Sequence, residues 1–218
     1  MIALLKKDWR LFHVPMVGTV IFIALCYLIF AVNIWLGREQ LGAESVASEL
    51  ATASVMGLNV VGIMAAVFGG VAFAFERHER WADFMAMLPV SRFQIVVSKI
   101  IVAGTFLSLI SVVLGEAFAL FAEQTVPISP LLHGVALYAS CVFMSFSVAW
   151  LCSSFLSSPA ISAAISLALV VFTVICPDLL PPKLTKVEVE ELEIAVMGVA
   201  GIVSFLTGTI YYLLRVEP

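Results

Sequence analysis

Long apolar runs alternate with short polar segments along the whole chain. Because the runs are continuous rather than alternating, and are too long for strands, they exclude an antiparallel sheet. Six runs are long enough, or nearly so, to cross about 30 Å of hydrocarbon as helices; they cover residues 14–36, 53–75, 97–121, 131–155, 159–177 and 194–214. The pattern therefore predicts an all-α membrane protein with six transmembrane helices in a single domain, residues 1–218.

Composition agrees with this class. Hydrophobic residues make up 62% of the 218 positions and charged residues only 12%, whereas ordinary soluble domains carry roughly 25% charged residues. The six spans leave little chain for a domain outside the membrane, and we expect no nucleic-acid partner. All four cysteines fall within or at the ends of apolar runs without a C-x-x-C pair, which favours free thiols.

The distribution of lysine and arginine predicts the orientation. One set of helix ends is rich in basic residues and the opposite set is rich in acidic ones. The basic ends carry Lys6, Lys7, Arg10, Arg77, Arg80, Arg92, Lys99 and Arg215. Both termini and the segment between the second and third spans are therefore predicted to be cytoplasmic, in a multi-pass protein of the cell membrane.

The cytoplasmic segment after the second span is amphipathic. Over residues 76–88 a helix would place Trp81, Phe84, Met85 and Leu88 on one apolar stripe. Pro89 ends this helix, since the residue before a proline avoids the α region. Ser91 and Gln94 then fit a capping box that begins the third span. The segment is either a coupling element docked into another protein or an interfacial helix that anchors a loop.

The same segment carries a family resemblance. Glu76 and Arg77, followed by Leu88-Pro89-Val90-Ser91-Arg92 and then Lys99, resemble the cytoplasmic loop of ABC-2 type transporter permeases. The resemblance implies the membrane subunit of an ATP-driven exporter, present as two copies or paired with a homologous permease. It also implies two ATPase subunits, which would contact a coupling helix through Glu76, Arg77, Arg80, Trp81, Asp83, Phe84 and Arg92.

The N-terminal segment is also amphipathic. Leu5, Trp9 and Phe12 share a helical face among basic residues. A short helix lying in the membrane interface would bury this face and turn its lysines toward anionic head groups. Permeases of this family similarly carry such a helix before the first span. The basic residues would serve equally as ordinary flanks of a first span.

Few polar residues fall inside the predicted spans. Glu116 is an intramembrane carboxylate, and such a group is a functional candidate by default. It is either part of a translocation path, together with Asn59, or a residue that reaches the outer interface. Small residues mark close helix packing, either within the bundle or across a dimer. They are Gly62, Gly69 and Gly70 in the second span and Ala160, Ala164 and Ala168 in the fifth.

The sequence lacks the motifs expected of a nucleotide-binding site and of a zinc site. No G-x-x-x-x-G-K-[ST] stretch occurs, so ATP and Mg²⁺ would be bound by the partner subunit and this chain holds no cofactor of its own. His78-Glu79 begins like a zinc motif, but Ala82 occupies the position of the second histidine, so no metal site is predicted. The chain is not expected to be an enzyme. The alternatives to a permease are a membrane scaffold or sensor that recruits a cytosolic partner, and a secondary carrier.

Overall fold

The computed structural model describes residues 2–36, 43–78, 91–122, 128–175 and 186–214, and all regular structure in them is helical. There are six helices within these ranges: α1 Ile2–Leu36, α2 Ala43–His78, α3 Arg92–Ala122, α4 Ile128–Phe155, α5 Pro159–Ile175 and α6 Lys186–Leu214. The predicted all-α, six-helix architecture is confirmed.

Five of these helices are long and apolar enough to cross a membrane. The apolar part of α5, Pro159–Thr173, is shorter, and at 1.5 Å per residue the 17 residues of α5 span about 26 Å, just under the hydrocarbon thickness. Several helices begin well before the apolar run that predicts them. The predicted second span begins at residue 53, whereas α2 begins at Ala43; the predicted sixth begins at 194, whereas α6 begins at Lys186. The orientation across the membrane stays a prediction.

Two helix starts have clear local causes. Ser91 and Gln94 form the predicted capping box: the Ser91 N–H donates to Gln94 Oε1 and the Gln94 N–H donates to Ser91 Oγ, both at 3.2 Å. At the start of α5, Ser158 caps the helix by accepting the Ile161 N–H at 3.4 Å. Pro159 then occupies the first helical position, where its missing N–H is not needed.

The N-terminal amphipathic segment is continuous with the first span. It forms the first turns of α1, which runs through Pro15 without interruption over 35 residues. Its buried stripe differs from the predicted face: Phe12 is fully buried in the bundle, Leu5 is half-buried and Trp9 is 54% exposed. The segment therefore packs against other helices through one side, rather than burying Leu5, Trp9 and Phe12 together in lipid.

α2 is the central helix of the bundle, and it contacts α1, α3, α4 and α5. α6 packs mainly on α4, and α1 packs on α2 and α3. Aromatic rings fill the centre: Phe68 lies 5.2 Å from Phe12 and 5.5 Å from Phe106 between ring centroids, and Trp150 lies 4.5 Å from Phe73. The core thus joins α1, α2, α3 and α4 through large side chains.

Small residues bring α2 close to its neighbours. A Cβ on Gly69 would overlap the carbonyl oxygen of Phe146 in α4, and one on Gly70 would lie 2.8 Å from the carbonyl oxygen of Pro159. Close packing within the bundle is therefore confirmed for these two glycines. The predicted alanine face of α5 is different, because Ala160, Ala164 and Ala168 are all exposed. The face of α5 that packs inside the bundle instead carries Ser162, Ala163 and Ser166.

Candidate functional site

The predicted coupling segment is described only at its two ends. Arg80, Trp81, Asp83 and Phe84 lie outside the described residues. Glu76 and Arg77 belong to the last turn of α2, and their side chains are also outside the described part. Arg92 is the first residue of α3, and its side chain is exposed. The structure therefore describes the end of α2, which precedes the segment, and the start of α3, which follows it.

We call this side of the bundle the loop end. The starts of α1, α3 and α5 meet the ends of α2, α4 and α6 there. Leu4 of α1 and Ile95 of α3 form one small buried cluster with Tyr212 of α6, and Phe155 of α4 lies 4.1 Å from Tyr211 of α6 between ring centroids. The start of α3 is therefore held in a packed layer, and the last turns of α2 join it where Phe73 stacks on Tyr212.

A charged pair is buried at the loop end. Asp8 of α1 and Lys99 of α3 both have fully buried side chains, and Asp8 Oδ1 lies 3.6 Å from Lys99 Nζ. The Ser98 hydroxyl donates to the other carboxylate oxygen, Oδ2, and also approaches the Ile95 carbonyl at 3.0 Å. Lys7 Nζ lies 3.4 Å from Asp8 Oδ1 and is 23% exposed. The carboxylate of Asp8 thus faces two ammonium groups and one hydroxyl.

Aromatic rings of α2 and α6 pack beside the charged pair. Lys99 Nζ lies 5.7 Å from the centroid of the Phe73 ring of α2, a distance at which the ring face attracts a cation. Phe73 in turn stacks on Tyr212 of α6 with centroids 4.1 Å apart. We refer to Asp8, Lys99, Ser98 and Phe73 as the basal cluster. It links α1, α2 and α3, because each of these helices supplies at least one member.

The electrostatics of the basal cluster favour a fixed arrangement. A charge buried in a medium of low dielectric is stable only with partners, so removing Asp8 or Lys99 takes a close counter-charge from the other, and breaking a buried pair in this way is destabilising. Among the described residues no group of three His, Cys, Asp or Glu side chains has the geometry to hold a metal ion. The buried pair is suited to fixing α1 against α3, because each helix supplies one of its charges.

The predicted path residues lie elsewhere. Glu116 in α3 and Asn59 in α2 are both exposed on the outside of the single bundle. The structure does not bring them into the basal cluster, and their role in a path stays a prediction. Cys26, Cys141 and Cys152 are free and partly buried, which confirms the predicted free thiols for these three; Cys176 is outside the described residues.

Sequence reasoning missed Asp8. The basic residues and the aromatic face are the stronger patterns of the N-terminal segment, and its only acidic residue lies among them. The available signal was spacing: Leu4, Asp8 and Phe12 recur every four residues and therefore share one helical stripe. An acid on that stripe, between two apolar residues, indicates a buried carboxylate that requires a cationic partner.

Comparison with known proteins identifies the family. The family model described as "ABC-2 family transporter protein" matches residues 38–207, which is well over half of the chain and includes the predicted coupling segment. α1 precedes the matched residues. Neither a curated protein nor a solved structure matches the chain. With its set of long apolar helices, the matched chain belongs to the ABC-2 family and is a membrane permease component of an ABC transporter.

Proposed function

We propose that this chain is the membrane subunit of an ATP-driven exporter in the cell membrane of a prokaryote. Two copies of a separate ATPase subunit would bind ATP and Mg²⁺ and dock on residues 76–92. Two permease copies, or this chain and a homologous permease, would enclose the translocation path. The family match supports the permease role, and the basal cluster supports the site at which ATPase movement enters the membrane.

One observation carries the proposal: the helix ends on both sides of the predicted coupling segment are held in place, that of α2 by packing and that of α3 by a capping box. α2 reaches His78, and five residues before that end Phe73 packs against Lys99, Trp150 and Tyr212. On the other side, α3 begins with the Ser91 capping box. A push on the intervening segment would therefore displace whole helices as rigid bodies, the movement that alternating access requires.

The packing of the bundle supports a path between two copies. Within the described residues the centre of the single bundle is filled by stacked and edge-on rings, with Trp150 contacting Phe73, Phe146 and Phe205. A substrate would have to displace this aromatic core to pass through one copy. A path bounded by the outer surfaces of two copies leaves the core intact, and Glu116 and Asn59 are exposed on such surfaces.

Co-purification in mild detergent tests the proposal. The wild-type permease is expected to retain an ATPase, while Trp81→Ala and Arg80→Glu lose it or lose the response of its activity to the permease. Truncating an anchoring aromatic residue at a protein interface costs about 2 kcal/mol or more, which corresponds to roughly a 30-fold loss of affinity. All variants are expected to insert into the membrane normally.

Trp35→Ala is the matched control. Trp35 lies at the other end of α1 and is 69% exposed, so its loss removes an exposed indole without touching the loop end. It is expected to keep the ATPase bound. A bound partner without nucleotide-dependent activity would favour the scaffold, and transport in proteoliposomes without any ATPase would favour the secondary carrier. Wild-type binding by both loop variants would refute the proposed docking site.

A further inference from the structure

The inner half of α1 is attached to α3 through charge. Asp8 and Lys99 are 91 positions apart in the sequence, yet their side chains are fully buried against each other, and the Ser98 hydroxyl holds the second carboxylate oxygen. If α3 moved without α1, the buried carboxylate would lose Lys99 and Ser98 and would keep only Lys7 of its own helix. The start of α3 and the first turns of α1 are therefore expected to move as one unit.

The remainder of α1 has a different environment. In its membrane-spanning stretch, Leu4–Leu36, only 6% of the most apolar window is buried. Val14, Val20, Leu28 and Val32 are among the large side chains that it exposes. Between helices in lipid, apolar contact supplies little net attraction, because lipid tails are as apolar as the side chains. The position of α1 is therefore set chiefly by its polar attachments and by close packing.

A second polar attachment lies on the opposite half of α1. Tyr27 Oη and Ser54 Oγ of α2 are 2.8 Å apart. This contact joins α1 to α2 far from the loop end, whereas the basal cluster joins α1 to α3 beside the predicted coupling segment. The two attachments thus connect α1 to different helices at different depths, and they can be removed one at a time.

We propose that Asp8 is a positioning residue that makes α1 follow the coupling segment, so that ATPase movement reaches the peripheral helix α1 as well as α2 and α3. The proposal rests on the proposed function. α3 carries the displacement from the segment to Lys99, the buried pair carries it across to Asp8, and α1 carries it along its length to the exposed outer surface of the bundle. In this way α1, which precedes the residues matched by the family model, takes part in the transport movement.

Distances between spin labels test the proposal. In a cysteine-free permease copurified with its ATPase, one label pair joins Val14 of α1 to Ile210 of α6, and a second joins Phe93 of α3 to Ile210. All three positions are exposed. Dilution with unlabelled protein removes distances between copies. ATP and orthovanadate trap the closed ATPase, and we expect both distances to change by roughly 1–2 Å in the wild-type protein, as helix shifts of this kind do.

Asp8→Asn separates the two readouts. It keeps the shape of the side chain and removes its charge, so the Phe93–Ile210 distance is expected to change as in the wild type while the Val14–Ile210 distance loses most of its change. Asp8→Glu, which keeps the carboxylate, is expected to restore the change of the Val14–Ile210 distance. Tyr27→Phe is the matched control: it removes the other attachment of α1, and both distances are expected to change normally.

Three results would overturn the proposal. A normal Val14–Ile210 change in Asp8→Asn would show that the pair does not transmit movement. Equal losses in Asp8→Asn and Tyr27→Phe would show that any loosening of α1 suffices. No change of the Phe93–Ile210 distance in the wild type would refute the proposed function and this inference with it. Should Asp8→Asn fail to assemble, Ser98→Ala, which removes only the hydroxyl contact, is expected to reduce the Val14–Ile210 change, and a full change would refute the proposal.

Discussion

Replacing Gly69 with alanine tests how tightly α2 is held against α4. The new Cβ would overlap the carbonyl oxygen of Phe146 and would lie 2.9 Å from Ala149 Cβ and 2.9 Å from the Trp150 backbone nitrogen. These are backbone atoms and a methyl group, so no flexible side chain can rotate away to make room. The only remaining adjustment is a separation of the two helices.

The size of the effect follows from that separation. Ordinary van der Waals contact begins at 3.4 Å, and the overlap with the Phe146 carbonyl oxygen is the largest, so the helices would have to part by roughly 1 Å, which forfeits about half of the dispersion energy of the contacts across the gap. Overpacking of this kind costs about 1–3 kcal/mol. The higher helix propensity of alanine offsets up to about 1 kcal/mol of it.

Gly104→Ala provides the comparison. A Cβ at Gly104 in α3 would meet nothing within 4 Å, so this variant gains the propensity term without the steric one. The difference between the two variants isolates the packing term, about 1–3 kcal/mol. For chains of about this length each kcal/mol shifts the melting temperature by about 2–4 °C. Gly69→Ala is therefore expected to melt several degrees below Gly104→Ala.

Heating in detergent followed by gel filtration of the remaining monodisperse protein measures both melting temperatures. Wild-type protein run in parallel is expected to fall between the two variants or near Gly104→Ala. Equal melting temperatures for Gly69→Ala and Gly104→Ala would refute the close approach of α2 and α4. It would then also remove the argument that the centre of the single bundle is too tightly packed for a substrate.

Two further predictions concern single hydrogen bonds. Trp150→Phe loses the bond from Trp150 Nε1 to Thr209 Oγ1 at 3.2 Å and also part of a fully buried ring, so its melting temperature is expected to fall further than that of Thr209→Val. Bonds of this kind in membranes average about 0.6 kcal/mol, so Thr209→Val is expected to melt slightly below the wild type and to cause no further drop when added to Trp150→Phe. The same drop in both backgrounds would contradict the bond. Ser91→Ala loses the cap that accepts the Gln94 N–H, which costs about 1 kcal/mol at the start of α3. Hydrogen exchange of the Gln94 amide is expected to be roughly fivefold faster, and unchanged exchange would contradict the capping box.

The helices could be predicted from the sequence because each carries its own apolar run. Continuous apolarity over about 20 residues has one explanation in a chain of this composition, and it needs no information from the rest of the fold. The ends could not be predicted in the same way. α6 begins at Lys186, eight residues before its apolar run, because a helix continues wherever its residues are good helix formers.

The Ser91–Gln94 capping box and the buried Asp8–Lys99 pair also differ in how far they could be predicted from the sequence. The Ser91–Gln94 capping box could be predicted, because both of its partners lie within four residues of each other. The buried Asp8–Lys99 pair could not, since Lys99 lies in α3, and the neighbouring Lys7 gives no indication of a second cationic partner so far along the chain. The sequence could not predict either that Ala160, Ala164 and Ala168 would be exposed. Which face of α5 meets α2 depends on where Gly70 allows close approach, and that is a property of two helices together.

Polar residues on the buried stripe of a membrane helix carry more positional information than the apolar residues around them. An apolar side chain is nearly as stable against lipid as against protein, so its burial says little about where its helix belongs. A buried carboxylate is stable only beside a cation or several donors. On α1 the stripe runs through Leu4, Asp8, Phe12, Met16 and Thr19. Thr19 satisfies itself by donating to the Pro15 carbonyl within its own helix at 2.8 Å. Asp8 has Lys7 beside it on α1, but its fully buried carboxylate also faces Lys99 and Ser98 of α3, and these contacts attach α1 to α3.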